Sequence, residues 1–164
     1  MHQPAVLYFL CGKMAAGKST LAQSLALANA ATLFSEDALL RDLYPSEIVD
    51  IGSYVRCSGR IKRALTDPIS ALLRTGVSVV LDFPANTLGQ RAWFRELLDG
   101  SGAAHELHFV DVPDEVCKAQ LRARNLMQGA DPLQDEATFD ALAMYFTAPR
   151  EDEGFTVIRH ARTL

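Results

Sequence analysis

Eight consecutive residues, Gly12-Lys13-Met14-Ala15-Ala16-Gly17-Lys18-Ser19, follow the pattern G-x4-G-K-[ST]. These residue types at this spacing point to phosphate chemistry. Glycine tolerates backbone angles that turn successive N–H groups toward one point, which makes an anion-binding hollow. An apolar run enters the motif and a helical pattern leaves it, so a helix dipole aims its positive end at the same hollow. Residues Gly12 to Thr20 are therefore expected to cradle a nucleoside triphosphate. Lys18 would reach its β- and γ-phosphates, and the Ser19 hydroxyl would ligate Mg2+.

Carboxylates near strand ends are the next candidates. Asp82 ends the apolar run Val77–Asp82, where an aspartate either holds Mg2+ through water or bonds the following loop. Asp37 stands just past the short strand Thr32–Ser35, where a carboxylate can also cap a helix beginning at Ala38. The helical segment Tyr54–Leu65 carries Arg56, Arg60, Lys62 and Arg63 and no acid. At 100° per residue, Arg56, Arg60 and Arg63 fall within about 60° of one another, opposite Tyr54, Cys57, Ile61 and Leu65. Such a stripe is either a solvated face or the border of a site for an anionic acceptor. No aromatic platform interleaves with it, so nucleic acid is not favoured. His105, His108 and His160 lack metal-ligand spacing and read as packing or surface residues. Cys11, on the run before the phosphate loop, reads as packing.

The elements that must position these groups alternate. Ala5–Cys11 lacks polar alternation, the mark of a strand buried on both faces. Helix Ser19–Ala30 follows, with Leu21, Leu25 and Leu27 expected on its inner side, then strand Thr32–Ser35 and helix Glu36–Tyr44, stopped before Pro45. Tyr54–Leu65 and Asp67–Arg74 read as two separate helices, and strand Val77–Asp82 comes next. Helix Leu88–Leu98, strand His105–Val112, helix Asp114–Arg124, a polar loop with Gly129 and Pro132, helix Asp135–Phe146 and strand Phe155–Arg159 complete the chain. The Met and aromatic residues of Phe139–Phe146 are expected in the core, and Pro149–Phe155 is expected near a bound base. This alternation predicts right-handed βαβ units around a parallel sheet covered on both faces. Ligands then sit beyond the carboxyl ends of the strands.

Composition narrows the function classes. The 164 residues fit one domain, and 16 basic against 20 acidic residues leave a net charge of −4. That balance argues against a nucleic-acid coat or a membrane-surface protein. Three cysteines without CxxC spacing suit a reduced, cytoplasmic setting, and no apolar run approaches the ~20 residues of a membrane span. No N-K-x-D segment is present to read guanine, and Asp99–Gly102 follows a helix rather than a strand, which argues against a GTPase switch. The chain is too short for a ring ATPase with a separate helical lid domain.

The phosphate loop, Ser35-Glu36-Asp37, Asp82 through Asn86, and Asp111-Val-Pro-Asp-Glu-Val-Cys117 followed by an arginine-containing lid resemble one group of P-loop kinases. It comprises the zeta-toxin, polynucleotide-kinase and chloramphenicol-phosphotransferase-like enzymes with small bacterial AAA-domain ATP-binding proteins. The resemblance spans nearly the whole chain and implies a three-layer α/β/α fold with a five-stranded parallel sheet of order 2-3-1-4-5. It also implies one P-loop kinase domain over 1–164, with acceptor-side helices about 45–75 and a small helical lid about 120–138. The implied activity is transfer of the γ-phosphoryl group of ATP, with Mg2+, to a hydroxyl of a small-molecule, nucleotide-like or polynucleotide acceptor.

By the same resemblance Asp37, or its neighbour Glu36, takes the proton of the attacking hydroxyl, and Ser35 is structural. Arg124 steadies the transferring phosphoryl group, with Arg122 second, because Gln120 stands where the group carries another arginine. Asp82-Phe-Pro-Ala-Asn86 lacks the group's threonine; Asn86 and Arg91 are candidates to touch the acceptor, as are Arg56 and Arg60. A toxin-like nucleotide-sugar kinase and a regulatory nucleotide-binding module without phosphotransfer are the alternatives. A monomer or weak homodimer is expected.

Overall fold

A computed structural model describes residues 3–131 and 133–162; Pro132, placed above in the polar loop, lies outside them. Strand β1 (Val6–Cys11) is the centre of the molecule because both of its faces are apolar. Leu7, Phe9 and Cys11 pack on one side, Tyr8 and Leu10 on the other. Around it, β2 (Thr32–Ser35), β3 (Val79–Pro84), β4 (Ala104–Asp111) and β5 (Val157–Ala161) form a parallel sheet of order β2-β3-β1-β4-β5, the order expected.

Helices fill both flanks. On the Phe9 side lie α2 (Glu36–Leu43), α3 (Ile51–Arg74) and α4 (Leu88–Ser101), contributing Leu40, Ile61, Ile69 and Phe94 to the larger core. On the Tyr8 side lie α1 (Lys18–Ala28), α5 (Asp114–Gln128) and α6 (Glu136–Ala143), through Ala22, Leu121 and Phe139. Local signals set the starts: the Ser35 hydroxyl caps α2, Asp50 and Ser53 form a reciprocal cap on α3, and Thr87 caps α4.

Three expectations are corrected. The segment read as two helices is one 24-residue helix, α3, with Pro68 inside it. Proline removes a donor from the helix ladder, but Ile69 and Leu73 beyond it are buried in the same core as Phe94 and Leu97 of α4. The Trp93 indole N–H also donates to Thr66 Oγ1 at 3.0 Å, so tertiary packing holds the turn that the proline weakens. Leu27 is 86% exposed rather than inward, because Leu21, Ala22, Leu25 and Ala26 occupy the sheet-facing arc of α1. Met144 and Tyr145 are exposed as well, while Phe139 of α6 is fully buried.

Phe94 has no exposed surface and stacks on Phe9, their ring centroids 4.4 Å apart. Replacing Phe94 with alanine is expected to cost about 3–5 kcal/mol in urea unfolding, mostly as a lower midpoint at unchanged slope.

Candidate active site

The sheet delivers four chain segments to one end. β1 runs directly into the phosphate loop, where Gly12 is hemmed in: a β-carbon there would lie 2.9 Å from the Val110 carbonyl oxygen. Gly17, at φ 106°, adopts a backbone that other residues rarely reach, and α1 starts at the next residue. Lys18 folds back over this loop, its Nζ donating to the carbonyls of Gly12 at 2.6 Å and Lys13 at 3.0 Å. Desolvation pushes its pKa down, opposed by the charge of Asp82. Lys13, Met14, Ala15, Gly17, Ser19 and Thr20 face the cavity, whereas Ala16 is buried beneath it.

Register places the carboxylates. Ser35, the last residue of β2, pairs with Asp82 on β3, so the chain leaves β2 with Glu36 and Asp37 beside Asp82. Asp82 lies two residues inside the end of β3, accepts a hydrogen bond from Ser19, and has its pKa raised by burial. The two neighbouring acids then part ways. Glu36 is buried and accepts from the Tyr54 hydroxyl at 2.5 Å and the Ser58 hydroxyl at 2.7 Å; burial raises its pKa, and burial and Glu36 raise that of Tyr54. Asp37 is exposed to the cavity, and among the described residues its carboxylate makes no hydrogen bond. The capping weighed as its alternative role falls to Ser35, whose Oγ accepts from the Ala38 N–H at 3.3 Å.

Ser19 and Asp82 fit an Mg2+ ion of the kind held by one or two protein oxygens together with substrate phosphates. Among the described residues, no group of three His, Cys, Asp or Glu side chains forms an all-protein metal cage.

The lid side is carried by α5. Gln120, Arg124 and Asn125 line the cavity, and Arg124 Nη2 donates to Gln134 Oε1, while the Asn125 amide bonds the Gln134 carbonyl at 2.7 Å. Arg122 points elsewhere, paired at 2.5 Å with Glu136 and exposed. Arg56 and Arg60 are exposed on α3 and do not line the cavity.

The loop after β3 is corrected most. Arg91 does not face a substrate: it is 1% exposed, its Nε donates to Glu153 Oε1 at 2.6 Å, and its Nη1 donates to the Ala85 carbonyl at 2.8 Å. Asn86 lines the cavity but spends its Oδ1 on the Gly12 N–H at 2.9 Å, and its own N–H donates to Gln90 Oε1. Sequence reasoning missed both ties. Arg91 and Glu153 stand 62 positions apart with nothing local to link them. Partial burial acts to raise the Glu153 pKa, but Arg91 and Arg150 outweigh it and hold the carboxyl below its ordinary value.

The whole cavity measures about 1160 Å3, above the ~300–1,000 Å3 of ordinary small-molecule sites and enough for two substrates.

This chain belongs to the AAA domain family, whose sequence profile matches residues 7–149. No curated protein sequence matches it. Among solved structures it is similar to a Chloroflexus aurantiacus protein (17% identity, TM-score 0.74, 98% of this chain and 86% of that one). The APS kinase of Mycobacterium tuberculosis in complex with AMPPNP and APS is similar at 16% identity and TM-score 0.63, over 98% and 91% of the two chains. A gluconokinase from Sinorhizobium meliloti follows at 14% identity and TM-score 0.60, over 99% and 86%. At such identities the likeness establishes the fold alone, the three-layer α/β/α P-loop fold.

Two substitutions probe the ties. Asn86→Ala strands the Gly12 N–H, and calorimetric titration with AMPPNP is expected to give a dissociation constant raised about tenfold. Glu153→Gln leaves the buried Arg91 guanidinium without its charge partner, at a cost of about 3 kcal/mol near neutral pH. Because the Glu153 pKa is depressed on folding, its contribution is complete above its ordinary value of 4.5 and is lost as pH falls through the folded pKa. The gap between wild type and variant should therefore close on acidification below pH 4.5.

Proposed function

We propose that this chain is an ATP-dependent kinase that transfers the γ-phosphoryl group to a hydroxyl of an acceptor bound in the same cavity. The observation that carries this reading is the convergence of Lys18, Ser19 with Asp82, Asp37 and Arg124 on one space large enough for a nucleotide and an acceptor. APS kinase and gluconokinase, among the similar structures, are phosphotransferases by name.

In this reading the loop N–H groups hold the phosphates, and the Lys18 ammonium shifts from the Gly12 and Lys13 carbonyls to the β- and γ-oxygens. Ser19 and Asp82 would hold Mg2+, which would supply positive charge against the phosphates. Asp37 accepts the acceptor's proton as its oxygen bonds to the γ-phosphorus; the bond to the bridging oxygen breaks, and ADP leaves with that electron pair. Asp37 suits this role better than Glu36, both of whose oxygens are occupied. Arg124 leaves Gln134 to grip the γ-oxygens, with the planar fork that suits phosphate. Arg122, tied to Glu136, is the weaker candidate.

The narrower place among zeta-toxin and polynucleotide-kinase-like enzymes is supported by the Ser35-Glu36-Asp37 and Asp82–Asn86 segments. The three buried free cysteines fit a reducing, cytoplasmic setting, and among the described residues no helix is long and apolar enough to cross a membrane.

The test is mass spectrometry of a metabolite extract, spiked with 5′-hydroxyl oligonucleotides, after incubation with ATP, Mg2+ and protein. Wild type should produce a new phosphate ester. Lys18→Ala should abolish it, and Asp37→Asn should slow it about 100-fold or more. Wild-type turnover by Asp37→Asn would remove the base from this mechanism, and failure of wild type to bind nucleotide would remove the kinase.

A further inference from the structure

We propose that the acceptor is an uncharged polyhydroxyl compound, a sugar or polyol, rather than a nucleotide or another anion. This rests on the phosphotransfer reading above and goes beyond it by naming the acceptor class.

Among the described residues, four cations line the cavity: Lys13, Lys18, Arg41 and Arg124. Lys13 is paired with Asp114 at 2.6 Å, and Lys18 sits in the phosphate loop. Arg41 lies at the exposed rim beside Asp42. Among the described residues Arg124 forms no ion pair, its Nη2 donating to Gln134 Oε1, and it is the group suited to the transferring phosphoryl. No interior cation is left to receive a second anion next to the triphosphate and the carboxylates of Asp37 and Asp82. The arginine stripe that would have welcomed one, Arg56 and Arg60, stands outside the cavity.

A cationic acceptor fares no better. Glu36 has both oxygens bonded, by Tyr54 and Ser58, and Asp82 accepts from Ser19. Asp50 and Asp131 accept on one oxygen each and are exposed, where solvent leaves an ion pair little net gain. Asp37 is committed to the reacting hydroxyl.

What the cavity does offer is neutral amide. Asn86, Gln90, Gln120, Asn125, Gln128 and Gln134 all line it. Each primary amide carries two donors and an acceptor, which matches hydroxyl groups that both give and take hydrogen bonds. Asn86 and Gln90 spend their carbonyl oxygens on backbone N–H groups, which leaves both NH2 groups for a ligand. The Gln120 side chain makes no hydrogen bond within the chain among the described residues, and it lines the same cavity as Asp37.

The test measures ADP release and the mass of the product for matched acceptors on one carbon skeleton: a hexose, its hexosamine, its aldonate and its phosphate, with pentitols and cyclitols alongside. AMPPNP titration is run separately on wild type and Lys18→Ala, so that nucleotide binding is judged independently of the acceptor. Neutral compounds are expected to exceed their charged counterparts at least about 100-fold in kcat/KM. Gln120→Leu is expected to raise KM for the best polyol about tenfold. Preference for a charged member overturns the proposal, and so does nucleotide binding with no phosphorylated polyol, or an unmoved KM in Gln120→Leu. Absent nucleotide binding in wild type would instead remove the kinase reading on which the proposal stands.

Discussion

The approach of the Gly12 peptide to its neighbours is the constraint on which the site depends. Its N–H is held by Asn86, and its α-carbon lies so close to the Val110 carbonyl that no side chain fits. β1, the β3–α4 loop and β4 therefore meet at one backbone unit. Asn86 is positioned in turn by Gln90 and by the Thr147 N–H on its carbonyl, and Ala85 before it by the buried Arg91. A buried guanidinium that made fewer bonds would destabilise the fold; this one is shared between Glu153 and a backbone carbonyl, and so ties the last crossover of the sheet to the phosphate loop.

Adjacent residues of one type acquire different chemistry from where the helix turns. Glu36 and Asp37 are neighbours at the start of α2, yet one is sealed under Tyr54 and Ser58 and the other opens on the cavity. Glu36 thereby anchors α2 to α3. A carboxylate without a hydrogen bond among the described residues, close to Asp82 and Lys18, can change its bonding as a substrate arrives; one with both oxygens bonded cannot. The basic face of α3 follows the same logic in reverse, since the face opposite its arginines is drawn into the core through Cys57 and Ile61, leaving Arg56 and Arg60 outside.

Much of this was legible in the amino-acid sequence. The loop Gly12–Ser19, the buried character of β1 and the alternation of strands and helices followed from spacing and periodicity, because each depends on local backbone geometry or on a face repeated every few residues, whereas the sheet order followed from the resemblance alone. The nearness of Ser19, Asp82 and Asp37 was legible too, since all three lie at carboxyl ends of parallel strands or just beyond them.

What only the tertiary structure decided were matters of partner and direction. Pro68 reads locally as a helix break, yet packing against α4 keeps α3 whole. Arg91 reads as a cation beside a site, yet it is closed off by Glu153, 62 residues away. Periodicity says which face of a helix is apolar but not which polar face looks into a cavity, so the amides lining it and the arginines outside it could be told apart only once the helices were docked. Local propensity is written along the chain, whereas a buried charge finds its partner, and a side chain its cavity, through contacts that no spacing encodes.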